Sequence, residues 1–242
     1  MEYEIIENND YKINYPTSLK DFVTSIIEYS IDKKQYFCSI FNVKMYDLPQ
    51  INVSIFTNFN EFENYIKEVS HGATPPKWAT GCFYNNEIQI LVNLNSAYSM
   101  SSKFYTLAHE TLHLFFNNFI YKKYNINRFR WLDESYACFL DGHIADMPTE
   151  KFNNIITKLN NITDNFNINQ LNNMNKSQTN NYNSYDIFLV VGKYIFDNCL
   201  EKKYLDMIKT DCNMISQIGE HILKDAVDYY KNEQTNFMET KM

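Results

Sequence analysis

Residues His109–His113 read HETLH, and this pentapeptide decides which fold and which chemistry the rest of the chain must support. It lies in the segment KFYTLAHETLHLFFNNF, whose apolar residues recur at helical spacing after two potential capping residues, Ser101 and Ser102. Positions four apart lie one above the other on the same face of a helix. The pattern therefore predicts a helix on which His109 and His113 can present two imidazoles to one ion.

A zinc site explains the residue types in and after this helix. Zinc binds imidazole nitrogen and carboxylate oxygen, and a catalytic site has three protein ligands and keeps its fourth position for water. The segment WLDES offers the third ligand, Glu134, on the next predicted helix. Glu110 follows the first histidine and can act as general base on the bound water. We predict one zinc ion per chain, held by His109, His113 and Glu134.

Three further residues are candidates for supporting this site. Asp133 precedes the third ligand, and Asp141 lies two helical turns beyond it on the same face, where its carboxylate could accept an imidazole N–H and orient a ligand. His71, in the loop HGATPPKWATG, is a candidate for the rim of the site or a solvated loop histidine. The alternative for HETLH itself is a structural helix with two incidental histidines.

Composition and charge exclude several other classes of protein. The chain has 242 residues, 45% hydrophobic and 16% aromatic, as expected of a globular protein rather than a disordered one. Its net charge is -7 and no basic stripe could follow phosphates, so we expect no nucleic-acid partner. No window approaches the roughly 18 to 20 apolar residues of a membrane span. Five cysteines without a CxxC pair disfavour a disulfide framework and a thiolate zinc site.

The first residues bear on where the protein works. The segment MEYEIIENNDYKINYP has acidic residues where a secretory signal requires a positive start and an apolar run. We expect no export signal and, with reduced thiols, a cytoplasmic location. A mature fragment whose leader had been removed would look the same.

The remaining periodicity predicts strands in the first half of the chain and helices in the second. Ile51, Val53 and Ile55 alternate with more polar residues, and CFY and EIQILVNL flank Asn85-Asn86 as a hairpin. The Asn-rich segment 160–184 predicts a loop with one short turn at 168–171. Helical spacing is found at 17–34, 61–69 and 131–142, and again after Pro148 and Tyr185. Strands followed by helices favour an α+β architecture of two lobes.

HETLH followed by WLDESYA resembles the HExxH and WL(N/D)EG(x)A signatures of the gluzincin metallopeptidases, the thermolysin-like and aminopeptidase-like group of the peptidase MA clan. The strand and helix INVSIFTNFNEFENYI, the segment WATG at Trp78–Gly81 and the strand before the motif are similar in order to one compact branch. The resemblance covers roughly residues 51–209. It implies one zincin-like catalytic domain over residues 1–242, with a small mixed sheet and the active-site helix in an N-terminal lobe, about 1–120, and a mainly helical C-terminal lobe, about 121–242.

The resemblance also implies roles for individual residues. Zinc would be held by His109, His113 and Glu134, with Glu110 as base and proton shuttle. The strand near Glu87–Asn93 would bind an extended substrate by strand addition.

A tyrosine that opens the helix after the variable loop would donate to the oxyanion of the reaction. In this chain that tyrosine is Tyr185, with Tyr182 and Tyr194 as alternatives. One departure is Ser135, at a position where relatives usually have Gly. Its Cβ could narrow the approach to the metal, or its hydroxyl could form a hydrogen bond there.

These features predict a zinc metallopeptidase that hydrolyses peptide bonds of a peptide or protein substrate in a cleft between the two lobes. One alternative is a catalytically silent relative that keeps the metal and binds a peptide or protein partner. Another is an interaction domain without metal. The presence of Glu110 favours the enzyme, because a structural zinc has no use for a base.

Overall fold

The computed structural model describes residues 2–75, 77, 79–84, 86–92, 104–172 and 183–239, with the side chains of 165 and 234–239 left out. The predicted cap at Ser101 and Ser102, together with Trp78, Asn85 and Tyr182, lies outside the described residues. Within them, no helix combines the length and the apolar character needed to cross a membrane. Two compact units can be distinguished, Met1–Phe115 and Phe116–Met242.

The first unit is built on a five-stranded mixed sheet. In the order β1-β2-β3-β5-β4, the outer pairs β1/β2 and β4/β5 are antiparallel, whereas β2/β3 and β3/β5 are parallel. The predicted α+β class with a small mixed sheet is confirmed, as is the predicted hairpin, which is β4 and β5. The elements are β1 (Tyr3–Glu7), β2 (Tyr11–Pro16), α1 (Lys20–Phe41), β3 (Ile51–Phe56), α2 (Phe59–Val69), β4 (Gly81–Tyr84), β5 (Glu87–Leu91) and α3 (Thr106–Phe116).

The two faces of this sheet bury different helices. Alternate residues of a strand point to opposite faces, and Ile88 and Ile90 of β5 join the larger core, which also takes in Leu107 and Leu114 of α3. Thr111 of α3 lies in the same region and shares a buried hydrogen bond of 3.1 Å with the hydroxyl of Tyr11. A smaller cluster on the other face packs α2 against β3. The helix that carries HETLH is thus fixed on one face of the sheet.

The N-terminal residues form two strands, β1 and β2, that were not predicted from the sequence. In β2 burial alternates over residues 11–15: Tyr11, Ile13 and Tyr15 are buried, whereas Lys12 and Asn14 are exposed. The signal was present, but two of the three buried residues are tyrosines, and the flanking Asn and Lys residues make the segment polar on average. Burial of one face by α1 decides the outcome.

The second unit is helical. The helices predicted near 131–142, after Pro148 and after Tyr185 are confirmed, and the short turn predicted at 168–171 is the 3-10 helix Ile168–Asn172. The last turn of α3 continues into a π-helical stretch, Asn117–Tyr121, and a final helical turn, Lys122–Tyr124. The longer helices are α4 (Arg130–Leu140), α5 (Thr149–Asn160), α6 (Ser184–Asp197), α7 (Glu201–Thr210) and α8 (Cys212–Glu239).

Helices α4 and α6 pack so closely that a side chain would not fit at Gly192. A Cβ built on Gly192 would collide with the backbone carbonyl oxygen of Ser135. The backbones of the two helices therefore touch one residue after Glu134. Residues 187–192 of α6 are all buried, so the contact belongs to the core of this unit.

The N-terminus of α4 is held by side chains from a distant segment. The backbone N–H of Trp131 donates to Oδ1 of Asn172 over 3.2 Å, and its indole N–H donates to Oδ1 of Asn169 over 3.0 Å. Asn169 in turn donates to the carbonyl of Ser216 in α8 over 2.6 Å. These bonds satisfy an N–H of the first turn that the helix itself cannot. The beginning of the Asn-rich segment thus fixes the helix that carries Glu134.

Replacing Gly192 by Ala tests the close approach of α4 and α6. Ala is the better helix former by about 1 kcal/mol, so helix propensity alone predicts stabilisation. Because the new methyl group would collide with the Ser135 carbonyl, we expect destabilisation by about 1–3 kcal/mol or more. Urea unfolding followed by circular dichroism measures the difference. A variant as stable as the wild type would show that the helices are not in backbone contact.

Candidate metal centre

Helix α3 positions the two histidines. Its buried residues Leu107, Thr111 and Leu114 point into the core, which turns the next stripe of the helix away from the sheet. His109 and His113 lie on that stripe, one turn apart, with ring centroids 4.9 Å from each other and ring planes inclined by 80°. Burial of the core stripe therefore fixes the direction of both imidazoles.

Helix α4 positions the third predicted ligand. Glu134 is only 5% exposed, and its neighbour Asp133 is 1% exposed. Arg128 donates to both oxygens of Asp133, from Nε over 2.7 Å and from Nη2 over 3.0 Å. Nη2 of Arg128 also lies 3.5 Å from Oε1 of Glu134, and Nε of Arg130 lies 3.4 Å from the same oxygen. Two guanidinium groups thus balance two buried carboxylates.

The three predicted ligands come together. One ligand atom from each of His109, His113 and Glu134 lies within 4.8 Å of the other two, and among the described residues this trio is the group that could hold a metal ion. Two imidazole nitrogens and one carboxylate oxygen form a donor set suited to zinc, and bonds of about 2 Å in a tetrahedron place ligand atoms about 3.4 Å apart. A modest adjustment of side chains would bring the three atoms to that spacing, so the residues fit the ion.

Glu110 is buried beside the beginning of β4. Glu110 is 8% exposed. A Cβ built on Gly81 would lie 2.7 Å from Oε1 of Glu110 and 2.7 Å from Cγ2 of Thr106. The carboxylate can occupy this position because Gly81 has no side chain. The last residue of WATG therefore has a steric role, which the sequence analysis did not assign to it.

The order of strands in the sheet corrects the prediction of which strand binds substrate. Residues Glu87–Leu91 of β5 are paired with β3 on one side and with β4 on the other, so their backbone hydrogen-bonding groups are already used within the sheet. Among the described residues, the outer strand on this side is β4, Gly81–Tyr84. An extended chain could add to β4 and could not add to β5. The strand predicted to bind substrate is thus the inner strand of the hairpin, and this prediction is wrong.

The hydroxyl of Ser135 has its hydrogen-bond acceptor within its own helix. The residue is fully buried, and its Oγ donates to the carbonyl of Trp131 in its own helix over 2.6 Å. The glycine that permits close packing at this level is Gly192, on the facing helix. Ser135 is thus accommodated within the packing of α4 and α6.

Asp141 contacts a histidine of its own segment. Its Oδ1 lies 2.6 Å from Nδ1 of His143 and accepts a hydrogen bond from the His143 backbone N–H over 3.0 Å. The residue is 4% exposed. The expectation that Asp141 orients a ligand imidazole stays a prediction.

The other predicted site residues have defined positions. Tyr185 lies in the first turn of α6, where its backbone N–H donates to the capping side chain of Asn183 over 3.2 Å and its ring contacts Phe188. Tyr194, the described alternative, packs its ring against Tyr229 of α8. His71 is exposed and adopts a positive φ of 57° in the turn after α2. An oxyanion role for Tyr185 and a rim role for His71 stay predictions.

Two cysteines close to acidic residues keep their protons. Burial and the charges of Glu110 and Glu87 raise the pKa of Cys82 to about 12. Burial raises the pKa of Cys138 well above its ordinary value, and the nearby carboxylates, Glu134 first among them, raise it further. Both thiols are therefore protonated at neutral pH in the metal-free protein.

The two arginines that contact the carboxylates of WLDES were not predicted from the sequence. A signal for them existed, since Arg128 and Arg130 are the two arginines of the chain and the other 20 of its 22 basic residues are lysines. Nor were Gly81 and Gly192, whose importance follows from contacts between distant segments. Only the fold brings those segments together.

Comparison with known proteins adds no relative. No protein-family model matches the sequence. A search of curated proteins gives no match. The resemblance to the gluzincins therefore depends on HETLH, WLDES and the order of elements around them.

Removal of one imidazole tests the metal centre. We expect the wild type to bind about one divalent metal ion per chain, and His113→Ala to bind it at least about 100-fold more weakly, since even loss of an outer-shell partner costs 10–100-fold. His221→Ala is the control, because the His221 side chain is 76% exposed on α8. Elemental analysis after zinc loading and gel filtration gives the metal content. If His113→Ala and His221→Ala bound equal amounts of metal, HETLH would not be part of a metal site.

Proposed function

We propose that this protein is a zinc-dependent metallopeptidase that hydrolyses peptide bonds. The observation that carries the proposal is the grouping of His109, His113 and Glu134, with ligand atoms within 4.8 Å of one another. A fourth residue, Glu110, lies on α3 between the two histidines in sequence, and its carboxylate is buried against β4. An open metal site with an adjacent carboxylate is the arrangement that metal-assisted hydrolysis requires.

The chain's own residues divide the work of hydrolysis. Zinc, when bound, would supply a Lewis acid that polarises the scissile carbonyl and lowers the pKa of water. Glu110 would accept the proton of the attacking water and deliver it to the leaving amine. Tyr185 would donate a hydrogen bond to the oxyanion. Because Glu110 is shielded from bulk solvent, bulk water would have little access to exchange protons with its carboxylate during the reaction.

Substrate would bind along β4. An extended peptide that pairs with the outer edge of Gly81–Tyr84 would use backbone hydrogen bonds for affinity. Gly81 contacts Glu110, so such a peptide would pass close to the base. This arrangement replaces the expectation that Glu87–Asn93 binds substrate.

The alternative, a catalytically silent protein that holds a metal and binds a peptide partner, makes no use of Glu110. A structural metal needs no base, so this alternative gives the Glu110 carboxylate no catalytic role. The space that Gly81 leaves for this carboxylate favours the enzyme.

Glu110→Gln separates the enzyme from the silent alternative. We expect cleavage of a peptide library to fall by about 10²–10⁴-fold, because general acid–base catalysis contributes that much. Zinc content should stay near that of the wild type, because Glu110 is not a ligand. Glu220→Gln, at an exposed position of α8, is the matched control. Full activity in Glu110→Gln would refute the mechanism, and a wild type that binds zinc but cleaves nothing would favour the silent alternative.

Gly81→Ala tests the position of Glu110 without changing its chemistry. The added methyl group would displace the carboxylate, and a displacement of about 1 Å can cost 10²-fold in rate. We expect kcat/KM to fall by about 10–100-fold while zinc affinity changes little. Lys12→Ala is the control, because Lys12 lies on a different strand of the sheet, β2, with its side chain 45% exposed. Equal rates for Gly81→Ala and wild type would show that Gly81 does not set the position of the base.

A further inference from the structure

The distribution of arginine in this chain is uneven. Of 22 basic residues only two are arginines, Arg128 and Arg130, and both contact the carboxylates of WLDES. Two arginines can be placed among 22 basic positions in about 230 ways. A chain that uses lysine almost everywhere else therefore has arginine where it adjoins the proposed metal ligand. This pattern favours a role that needs a guanidinium group.

The contacts show why a guanidinium group is needed at Arg128. Its Nε and Nη2 each donate to a different oxygen of Asp133, at 2.7 and 3.0 Å, which is a bidentate pair. The same Nη2 lies 3.5 Å from Oε1 of Glu134. One rigid fork thus bridges two neighbouring carboxylates. A lysine ammonium has no such planar fork and could not reproduce this geometry.

Arg130 holds the same oxygen from a second direction. Its Nε lies 3.4 Å from Oε1 of Glu134, one helical turn along α4. Its guanidinium carbon lies 6.0 Å from the ring centre of Phe188 on α6, and the side chain is 19% exposed. The ring and the carboxylate together restrict the orientation of Arg130.

Asp133 anchors this arrangement. It is 1% exposed and also accepts a hydrogen bond from the hydroxyl of Tyr121 over 3.2 Å. Tyr121 contacts the carbonyl of Phe129 as well, at the beginning of α4. Asp133 therefore fixes Arg128, and Arg128 reaches Glu134. A buried charge without a partner would destabilise the fold, and these contacts give the Asp133 carboxylate its partners in the absence of a metal.

We propose that Arg128 and Arg130 are positioning residues of the metal centre, which hold Glu134 through Oε1 in the orientation of a ligand. The inference rests on the proposed metal centre. Their positive charge balances Asp133 and Glu134 in the metal-free protein, so the site is formed before the ion arrives. After binding, the same N–H groups remain as outer-shell donors to the ligand carboxylate.

Arg→Lys substitutions test this proposal because they keep the charge and remove the fork. In Arg128→Lys and Arg130→Lys, we expect the zinc Kd to rise about 10–100-fold, the loss of affinity seen when outer-shell partners are removed. Competition with a chromophoric chelator measures the zinc Kd. Lys224→Arg, at an exposed ion pair with Asp164 on the same unit, is the control and should leave the Kd unchanged.

Thermal unfolding of the metal-free variants provides the second readout. If the arginines only stabilise the fold, both Lys variants lose Tm without zinc while their zinc Kd equals that of the wild type, and the proposal is overturned. If they position Glu134, the zinc Kd rises and the gain in Tm on adding zinc shrinks accordingly.

The same titrations distinguish this inference from the proposed function. A wild type that binds zinc and cleaves no peptide contradicts the peptidase, while weaker zinc binding in the Lys variants would still support the positioning role. A wild type that binds no zinc contradicts both. Wild-type zinc affinity in both Lys variants contradicts the positioning role alone.

Discussion

The candidate site depends on the burial of one face of α3 against the sheet. Leu107 and Leu114 enter the same core as Ile88 and Ile90, and Thr111 is bonded to Tyr11 of β2. Because a helix has a fixed period, this contact also fixes where the remaining stripes of α3 point. His109 and His113 are presented as a pair, and Glu110 is directed at β4. A rotation of α3 about its axis would expose the core stripe and scatter the proposed ligands.

Glycine and arginine serve the two motif helices in different ways. At α3, Gly81 leaves room for a carboxylate that must approach a strand closely. Gly192, on α6, allows the backbone of α4 to pack directly against α6. Near the beginning of α4, Arg128 and Arg130 balance the charge of two adjacent carboxylates. The space left by the glycines and the charge balance supplied by the arginines are therefore both present without a metal ion. In our account the ion enters a site that packing has already arranged.

The sequence predicted much of this arrangement, and the reasons for its failures are physical. The periodicity of α3, and of most later helices, follows from burial of one face and can be recognised locally. The grouping of His109, His113 and Glu134 followed from the donor chemistry of zinc, which limits the ligand types. Strand β2 was missed because its buried residues are partly tyrosine. The choice between β4 and β5 as outer strand depends on pairing between distant segments, which periodicity does not reveal.

The most direct test of the central claim is a crystal structure of the zinc-loaded protein with anomalous data collected on both sides of the zinc absorption edge. Our account predicts one anomalous peak per chain, about 2.0–2.2 Å from a nitrogen of His109, a nitrogen of His113 and an oxygen of Glu134. Glu110 should lie beside the peak without ligating it. A zinc-loaded crystal with no peak at these residues, or with the peak on other side chains, would contradict the metal centre and the function built on it.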